Sequence, residues 1–398
     1  MTREELSAAA VKAINSHNNI AIEAATGSGK SKCAIDCITH LYLNKKISDR
    51  IAIVVAERAH IDTWKEQLQK WLNKELNITI LCYASLHKLT NDYDLIVFDE
   101  AHHLTTEIRL DYFKNLNPKY RIFLSATLGK SFYNIMSQLI KIHTINLGVQ
   151  EAIDSKIIAE PIINLIPLEL NYKDITQIIV ESWGDKNKQR EIKCVYKDRW
   201  FYRAHRDEYP NVKLIIYCTE LQKYNYLTEQ IEYYKKLYSR KKSEAIKNIW
   251  LQKGNERKIY LGSLKTEKAK QLVSSLSKKR FICFCTNIEQ ADALGGKKYA
   301  IHSKTNAKKI LEDFDSHKIN KLFAVGMLTE GVNLDKIQVG VIVQLDGKER
   351  LFIQKLGRAL RAKHPEQYII YFKNTRDEEY LNNAIEGINE KYIKTITL

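Results

Sequence analysis

Over roughly the first 150 residues, short apolar runs alternate with longer stretches of helical periodicity. Ile20 to Ala25, Ile51 to Ala56, Ile78 to Tyr83, Leu95 to Phe98 and Arg121 to Leu124 are candidate strands. That succession predicts a parallel sheet wrapped by helices. The rhythm returns with Phe281 to Cys285, Tyr299 to His302, Leu322 to Val325, Val339 to Gln344 and Tyr368 to Phe372, and predicts a second α/β domain. Between the two, residues from about 172 to 260 are rich in Lys, Arg, Tyr and Glu, with long helical stretches such as Glu220 to Lys247. They read as a basic helical or hairpin insertion, between the domains or within an elaborated start of the second. The expected division is residues 1–158 for the first domain and 159–398 for the second.

A chain of 398 residues suits two domains that each bury a core. A hydrophobic share of 44% and a charged share of 28% are those of a globular protein rather than a disordered one. The charged start Met1-Thr2-Arg3-Glu4-Glu5 has no apolar signal-peptide core, and no later run approaches a membrane span. A cytoplasmic protein is expected, in the host cytoplasm if the source is a phage or virus. The seven cysteines are scattered, odd in number and without CxxC spacing, which disfavours a zinc site or a disulfide framework. The balance of 63 Lys and Arg against 47 Asp and Glu, a formal charge of +16, favours a polyanionic partner, nucleic acid first. A lysine-rich surface kept for solubility is the other reading.

Two segments carry the chemistry. Ala24-Ala25-Thr26-Gly27-Ser28-Gly29-Lys30-Ser31 follows a candidate strand and opens a helical pattern, the context of a phosphate-binding loop, with Ala24 where that loop pattern has its first Gly. In such a loop glycines let successive N–H groups turn towards phosphate oxygens, Lys30 adds charge for the β and γ phosphates, and the Ser31 hydroxyl can hold Mg²⁺. The alternative is a Gly-rich turn that binds nothing. Further on, the strand Leu95 to Phe98 ends in Asp99-Glu100-Ala101-His102, an acidic pair where parallel sheets bind ligands. Asp99 would hold the metal shell and Glu100 would orient and deprotonate an attacking water, unless the pair merely caps the next helix.

Phosphate loop, Asp-Glu-Ala-His tetrad and then Ser125-Ala126-Thr127 form an ordered set that resembles superfamily 2 helicases of DEAH-box type. Gln354-Lys355-Leu356-Gly357-Arg358-Ala359-Leu360-Arg361 matches that family's QxxGRxxR motif, and Leu328 to Leu334, with Gly331, resembles the motif before it. Tyr83-Ala84-Ser85-Leu86, Phe284-Cys285 and Ile301-His302-Ser303 are smaller echoes. Within the superfamily the chain looks most similar to type III restriction motor subunits, XPB-like proteins and phage recombination helicases. It departs from the family in having no Gln between Leu6 and Ile14 and no Pro-Thr in Val54 to Arg58.

The resemblance implies two RecA-like domains with ATP and Mg²⁺ between them. Thr26, Gly27, Ser28, Gly29, Lys30, Ser31, Asp99 and Glu100 would line one wall, and Gln354, Arg358 and Arg361 the other. His102, Ser125, Thr127 and Gly331 would couple nucleotide state to movement. Arg358 and Arg361, three apart, can share a helix face, either towards the nucleotide or as a solvated basic face. The activity implied is an ATP-dependent helicase or translocase acting as a monomer on nucleic acid, DNA ahead of RNA, in repair, recombination or replication. A nuclease or a replication or repair protein is the expected protein partner. An RNA helicase and an assembly ATPase without translocation are the alternatives. In Lys193 to Arg206, Arg199, Trp200, Arg203 and Arg206 interleave aromatics with cations, which suits a strand-contacting hairpin or an amphipathic strand pair.

Overall fold

The computed structural model describes residues 1–25, 27–72, 76–325, 337–345 and 365–398. The first sheet contains β1 (Asn19–Ala24), β2 (Ile51–Val55), β3 (Ile78–Cys82), β4 (Leu95–Asp99), β5 (Tyr120–Ser125) and β6 (His143–Leu147). Their order is β3-β2-β4-β5-β1-β6, and every pairing is parallel. The central strands read as continuous apolar runs because both faces are covered. Ile20, Ile22, Ile51, Ile53, Leu95, Val97, Ile122 and Leu124 pack on one side with helices α1 (Arg3–Ser16) and α2 (Lys30–Leu43). Alternate residues Ala21, Val54, Ile96, Phe98 and Phe123 pack on the other side with Leu104, Phe113 and Phe132.

After α3 (Ala59–Trp71), α4 (Glu107–Lys114), α5 (Gly129–Met136) and the short α6 (Val149–Asp154), the chain enters the second sheet through β7 (Ile162–Leu168). Ile157 and Ile158 of the connecting segment share one core cluster with Ile163 and Leu165 of β7. The small sheet that follows is separate: β8 (Gln177–Trp183), β9 (Arg190–Val195) and β10 (Val212–Cys218) lie in the order β8-β10-β9. The larger sheet resumes with β11 (Phe281–Phe284), β12 (Ala300–Ile301), β13 (Lys321–Ala324), β14 (Val339–Ile342), β15 (Glu366–Phe372) and β16 (Ile393–Thr395). With β7 they form a parallel sheet ordered β12-β13-β11-β14-β15-β7-β16. Two α/β lobes of this kind are RecA-like domains.

Within the basic region two expectations need correction. Glu220 to Lys247 is not one helix. After the short α7 (Arg199–Ala204), α8 (Glu220–Lys241) stops at Lys242, whose φ is +49°, and α9 (Glu244–Leu264) runs back against it. The cations Arg240 to Lys242 sit at the negative end of the α8 dipole, and Ser243 with Glu244 starts the next helix. Lys193 to Arg206 is likewise no strand pair: β9 pairs in parallel with β10, and the chain then turns into α7. The α8–α9 pair projects as an arm. No residue from Glu232 to Ile259 is buried, and the Tyr238 and Trp250 rings, 6.0 Å apart, tie its two helices together.

The seven cysteines are unpaired. Burial pushes the Cys33 and Cys218 thiols up to about 11 and raises those of Cys37, Cys82, Cys194 and Cys283. Among the described residues no helix is long and apolar enough to cross a membrane.

Candidate active site

Three strands end together. β1 leads into the loop before α2, β4 ends in Asp99, and β5, which lies between them, ends in Ser125. In a parallel sheet, carboxyl ends of strands separated by a neighbour open a crevice in which ligands sit.

The loop turns on two residues whose backbone only glycine adopts freely: Gly27 has φ +87° and Gly29 φ +97°. The α2 helix starts at Lys30, so its first N–H groups face the loop. Lys30 Nζ donates to the Ala24 carbonyl at 2.8 Å, folded back across the loop it belongs to. Ser28 is fully buried and Ser31 partly exposed. Thr26 lies outside the described residues. Arg3 Nη2 donates to the Gly27 carbonyl at 3.2 Å and to the Ile157 carbonyl at 3.0 Å, joining the loop to the segment between the lobes.

Asp99 is held at both oxygens. The Trp64 indole N–H donates to Oδ2 at 2.8 Å, and the Glu100 N–H donates to Oδ1 at 3.0 Å. The Tyr83 hydroxyl donates to the Asp99 carbonyl at 3.0 Å. Glu100 has φ +48°, a left-handed conformation that costs a non-glycine residue roughly 1 kcal/mol and turns the chain sharply off the strand end. Its carboxylate meets a buried polar pair: His102 Nδ1 lies 3.4 Å from Glu100 Oε2 and 3.3 Å from Ser125 Oγ. The Ser125 hydroxyl donates to the Thr127 carbonyl at 2.8 Å and accepts from the Thr127 N–H at 3.3 Å. Thr127 therefore enters this network through its backbone. Glu100, His102, Ser125 and Thr127 form one hydrogen-bonded group joining the ends of β4 and β5.

Gly331, Gln354, Arg358 and Arg361 lie outside the described residues. The remaining candidates are elsewhere, in the small-sheet region. Arg199 is 5% exposed; its guanidinium lies 3.6 Å from the Tyr196 ring centroid and 3.4 Å from Glu229. Arg203 is bonded to Glu181, and Arg206 lies 5.0 Å from the Trp183 ring centroid. Trp200 and Phe201 stay exposed, at 55% and 50%. Arg199 and Arg203 are one helical turn apart and both turn inward, towards acids on α8 and β8. Trp64 and Arg3 were not singled out from the sequence. Nothing local marks them, since their partners lie 35 and 24 positions away.

The crevice and the paired lobes describe a nucleotide-driven motor with two RecA-like domains. Residues 2–84 match the family described as type III restriction enzyme, res subunit, and residues 264–363 match the helicase conserved C-terminal domain. The chain is 22% identical over 392 residues to the DNA 3′-5′ translocase XPB2 of Sulfurisphaera tokodaii, covering 91% of this chain and 79% of that protein. Among solved structures, S. cerevisiae Dbp5 bound to RNA and ADP BeF3 covers 98% of this chain and 89% of its own, at 12% identity and a TM-score of 0.57. The ATP-dependent Type ISP restriction-modification enzyme LlaBIII bound to DNA covers 100% of this chain and 31% of its own, at 11% identity and a TM-score of 0.56. These two structures are alike in fold. With both family models matched and the XPB2 relative covered over most of its length, the chain is an ATP-dependent helicase or translocase.

Proposed function

We propose that the chain is a DEAH-type motor that moves along DNA, with ATP and Mg²⁺ held at the ends of β1 and β4. The observation that carries this reading is the convergence of the Gly27–Ser31 loop, Asp99 and Glu100 on one sheet edge. The donor set fits a triphosphate and a hard divalent cation: backbone N–H groups at a helix start, one ammonium, one hydroxyl and one carboxylate. Thr26, Gly27, Ser28 and Gly29 cradle the phosphates, and Lys30 leaves the Ala24 carbonyl for the β and γ oxygens. Ser31 and Asp99 hold the metal, which when bound neutralises charge on the phosphates. Glu100 orients a water and takes its proton, while His102, Ser125 and Thr127 relay the change at the γ position. Gln354, Arg358 and Arg361 complete the site from the second lobe, and Gly331 belongs to the segment that couples closure to movement.

DNA is favoured over RNA by the relative named a DNA 3′-5′ translocase. The basic arm, with Lys235, Lys236, Arg240 and Lys241 beyond the last buried residue of α8, supports a polyanionic partner. Trp200 and Arg206 are candidate strand contacts, and Arg199 and Arg203 serve them only indirectly. A role in repair, recombination or replication, in the cytoplasm and as a monomer, belongs to the same proposal. The test is ATP turnover measured in parallel with single-stranded DNA, duplex, forked DNA and RNA. Greatest stimulation by a DNA form is the expected result. Greater stimulation by RNA would transfer the proposal to an RNA helicase. Turnover indifferent to all four would point to an assembly ATPase.

A further inference from the structure

The α8–α9 arm is fastened to the second lobe at its base. Tyr224 of α8 accepts from the Arg376 N–H through its hydroxyl at 2.9 Å. Gly262 of α9 packs so closely on Thr286 that a Cβ there would lie 2.1 Å from its hydroxyl oxygen, and the Gln290 amide donates to the Gly262 carbonyl at 2.7 Å. The third fastening is a charged group with no solvent contact. Lys265, the residue that ends α9, is 0% exposed, and its ammonium meets Asp377, 1% exposed, at 2.5 Å. The same ammonium donates to the Val343 carbonyl at 3.0 Å and to Gln344 Oε1 at 2.8 Å. Gln344 Nε2 in turn donates to Asp377 Oδ1 at 2.5 Å and to the Leu345 carbonyl at 2.9 Å. Burial lowers the Lys265 ammonium's pKa, and Asp377 opposes that fall.

Replacing a buried ion pair by apolar residues is often neutral or stabilising, so stability alone does not account for the pair. Its geometry is specific. Val343, Gln344 and Leu345 directly follow β14 and precede residues 346–364, the stretch of sequence that contains Gln354, Arg358 and Arg361. The ammonium thus bonds the root of the arm to the end of β14, the strand that in the sequence comes before the arginine motif. We infer that the Lys265, Gln344 and Asp377 cluster is a positioning device that makes nucleic acid on the arm set how Arg358 and Arg361 are presented to the nucleotide. This inference rests on the proposed ATP site and on the arm as a nucleic-acid contact. None of the three residues touches the nucleotide in that scheme.

The test is the charge-free double variant Lys265→Met/Asp377→Asn beside Lys265→Met alone. The single variant strands a buried carboxylate and is expected to melt early. In the double variant the charge imbalance is gone, so a native-like melting transition is expected to return without the tie between α9 and Gln344. With the nucleic acid that stimulates the native chain most, the double variant is expected to lose about tenfold in stimulated turnover, while its KM for ATP stays within about twofold. A double variant that regains stimulated turnover along with stability would reduce the cluster to a structural element and overturn the inference. So would a double variant with no cooperative transition. Lys30→Ala serves as the control. If that variant keeps its turnover, the proposed ATP site fails; if it is inactive while the double variant is native-like, only the present inference fails.

Discussion

Trp64 offers the sharpest test of the site, because its indole is the one side-chain donor to Asp99 among the described residues. Trp64→Phe keeps an aromatic ring in a position that is 2% exposed and removes only the N–H that reaches Asp99 Oδ2 at 2.8 Å. The Glu100 N–H still holds Oδ1 at 3.0 Å, so the carboxylate loses one of two anchors and gains freedom to rotate. A hydrogen bond to a charged acceptor contributes about 1.5 to 3 kcal/mol. Asp99 is partly exposed, so water replaces some of that loss and the lower figure applies. About 1.5 kcal/mol corresponds to roughly a tenfold rise in the Mg²⁺ concentration that gives half-maximal turnover, the low end for residues that orient a metal ligand. The assay is ATP turnover against Mg²⁺ at saturating ATP, with a melting curve to establish folding. Excess Mg²⁺ should restore most of the turnover. A folded Trp64→Phe variant with the native Mg²⁺ midpoint would refute the view that this indole orients a metal-binding Asp99.

Glu100→Gln should retain nucleotide and Mg²⁺ binding but lose about 10² to 10⁴ in turnover, read by fluorescent-nucleotide binding beside phosphate release. Loss of binding instead would make Glu100 structural. Arg203→Met leaves Glu181 half of a nearly buried pair, 14% and 10% exposed, and should lower stability by about 3 kcal/mol in urea titration with little change in DNA affinity. An unchanged midpoint would mean the pair is idle. Replacing Lys235, Lys236, Arg240 and Lys241 together by Ala should weaken single-stranded DNA binding and flatten its log–log salt slope by about 3, at roughly 0.7 per phosphate contact. An unchanged slope would exclude the arm from the interface.

Most strands legible from the sequence are buried on both faces, because an uninterrupted run such as Leu95 to Phe98 needs no partner to be seen; β3 was legible as an apolar run although none of its residues is fully buried. β6 escaped notice because three of its five residues are exposed, and β7 because Pro167 interrupts it. The loop and the acidic pair were visible because each is contiguous and its chemistry is local. The grip on Asp99 was not, since Trp64 and Tyr83 arrive from separate strand-to-strand connections and only the sheet order brings them together. Arg199 and Arg203 misled for a related reason. Their spacing is visible in the sequence, but the carboxylates that draw them inward, Glu229 and Glu181, sit on other elements.

The raised thiols have a practical consequence for following this motor at work. Maleimide and similar reagents attack the thiolate, so Cys33, Cys37, Cys82, Cys194, Cys218 and Cys283, with the charged form disfavoured, are slow to label in the folded chain. A cysteine introduced as Lys241→Cys, at an exposed arm tip, would react ahead of them. With the partly exposed Cys285 replaced and the other six left in place, a dye placed there would make the arm's excursions during each ATP cycle directly observable by fluorescence.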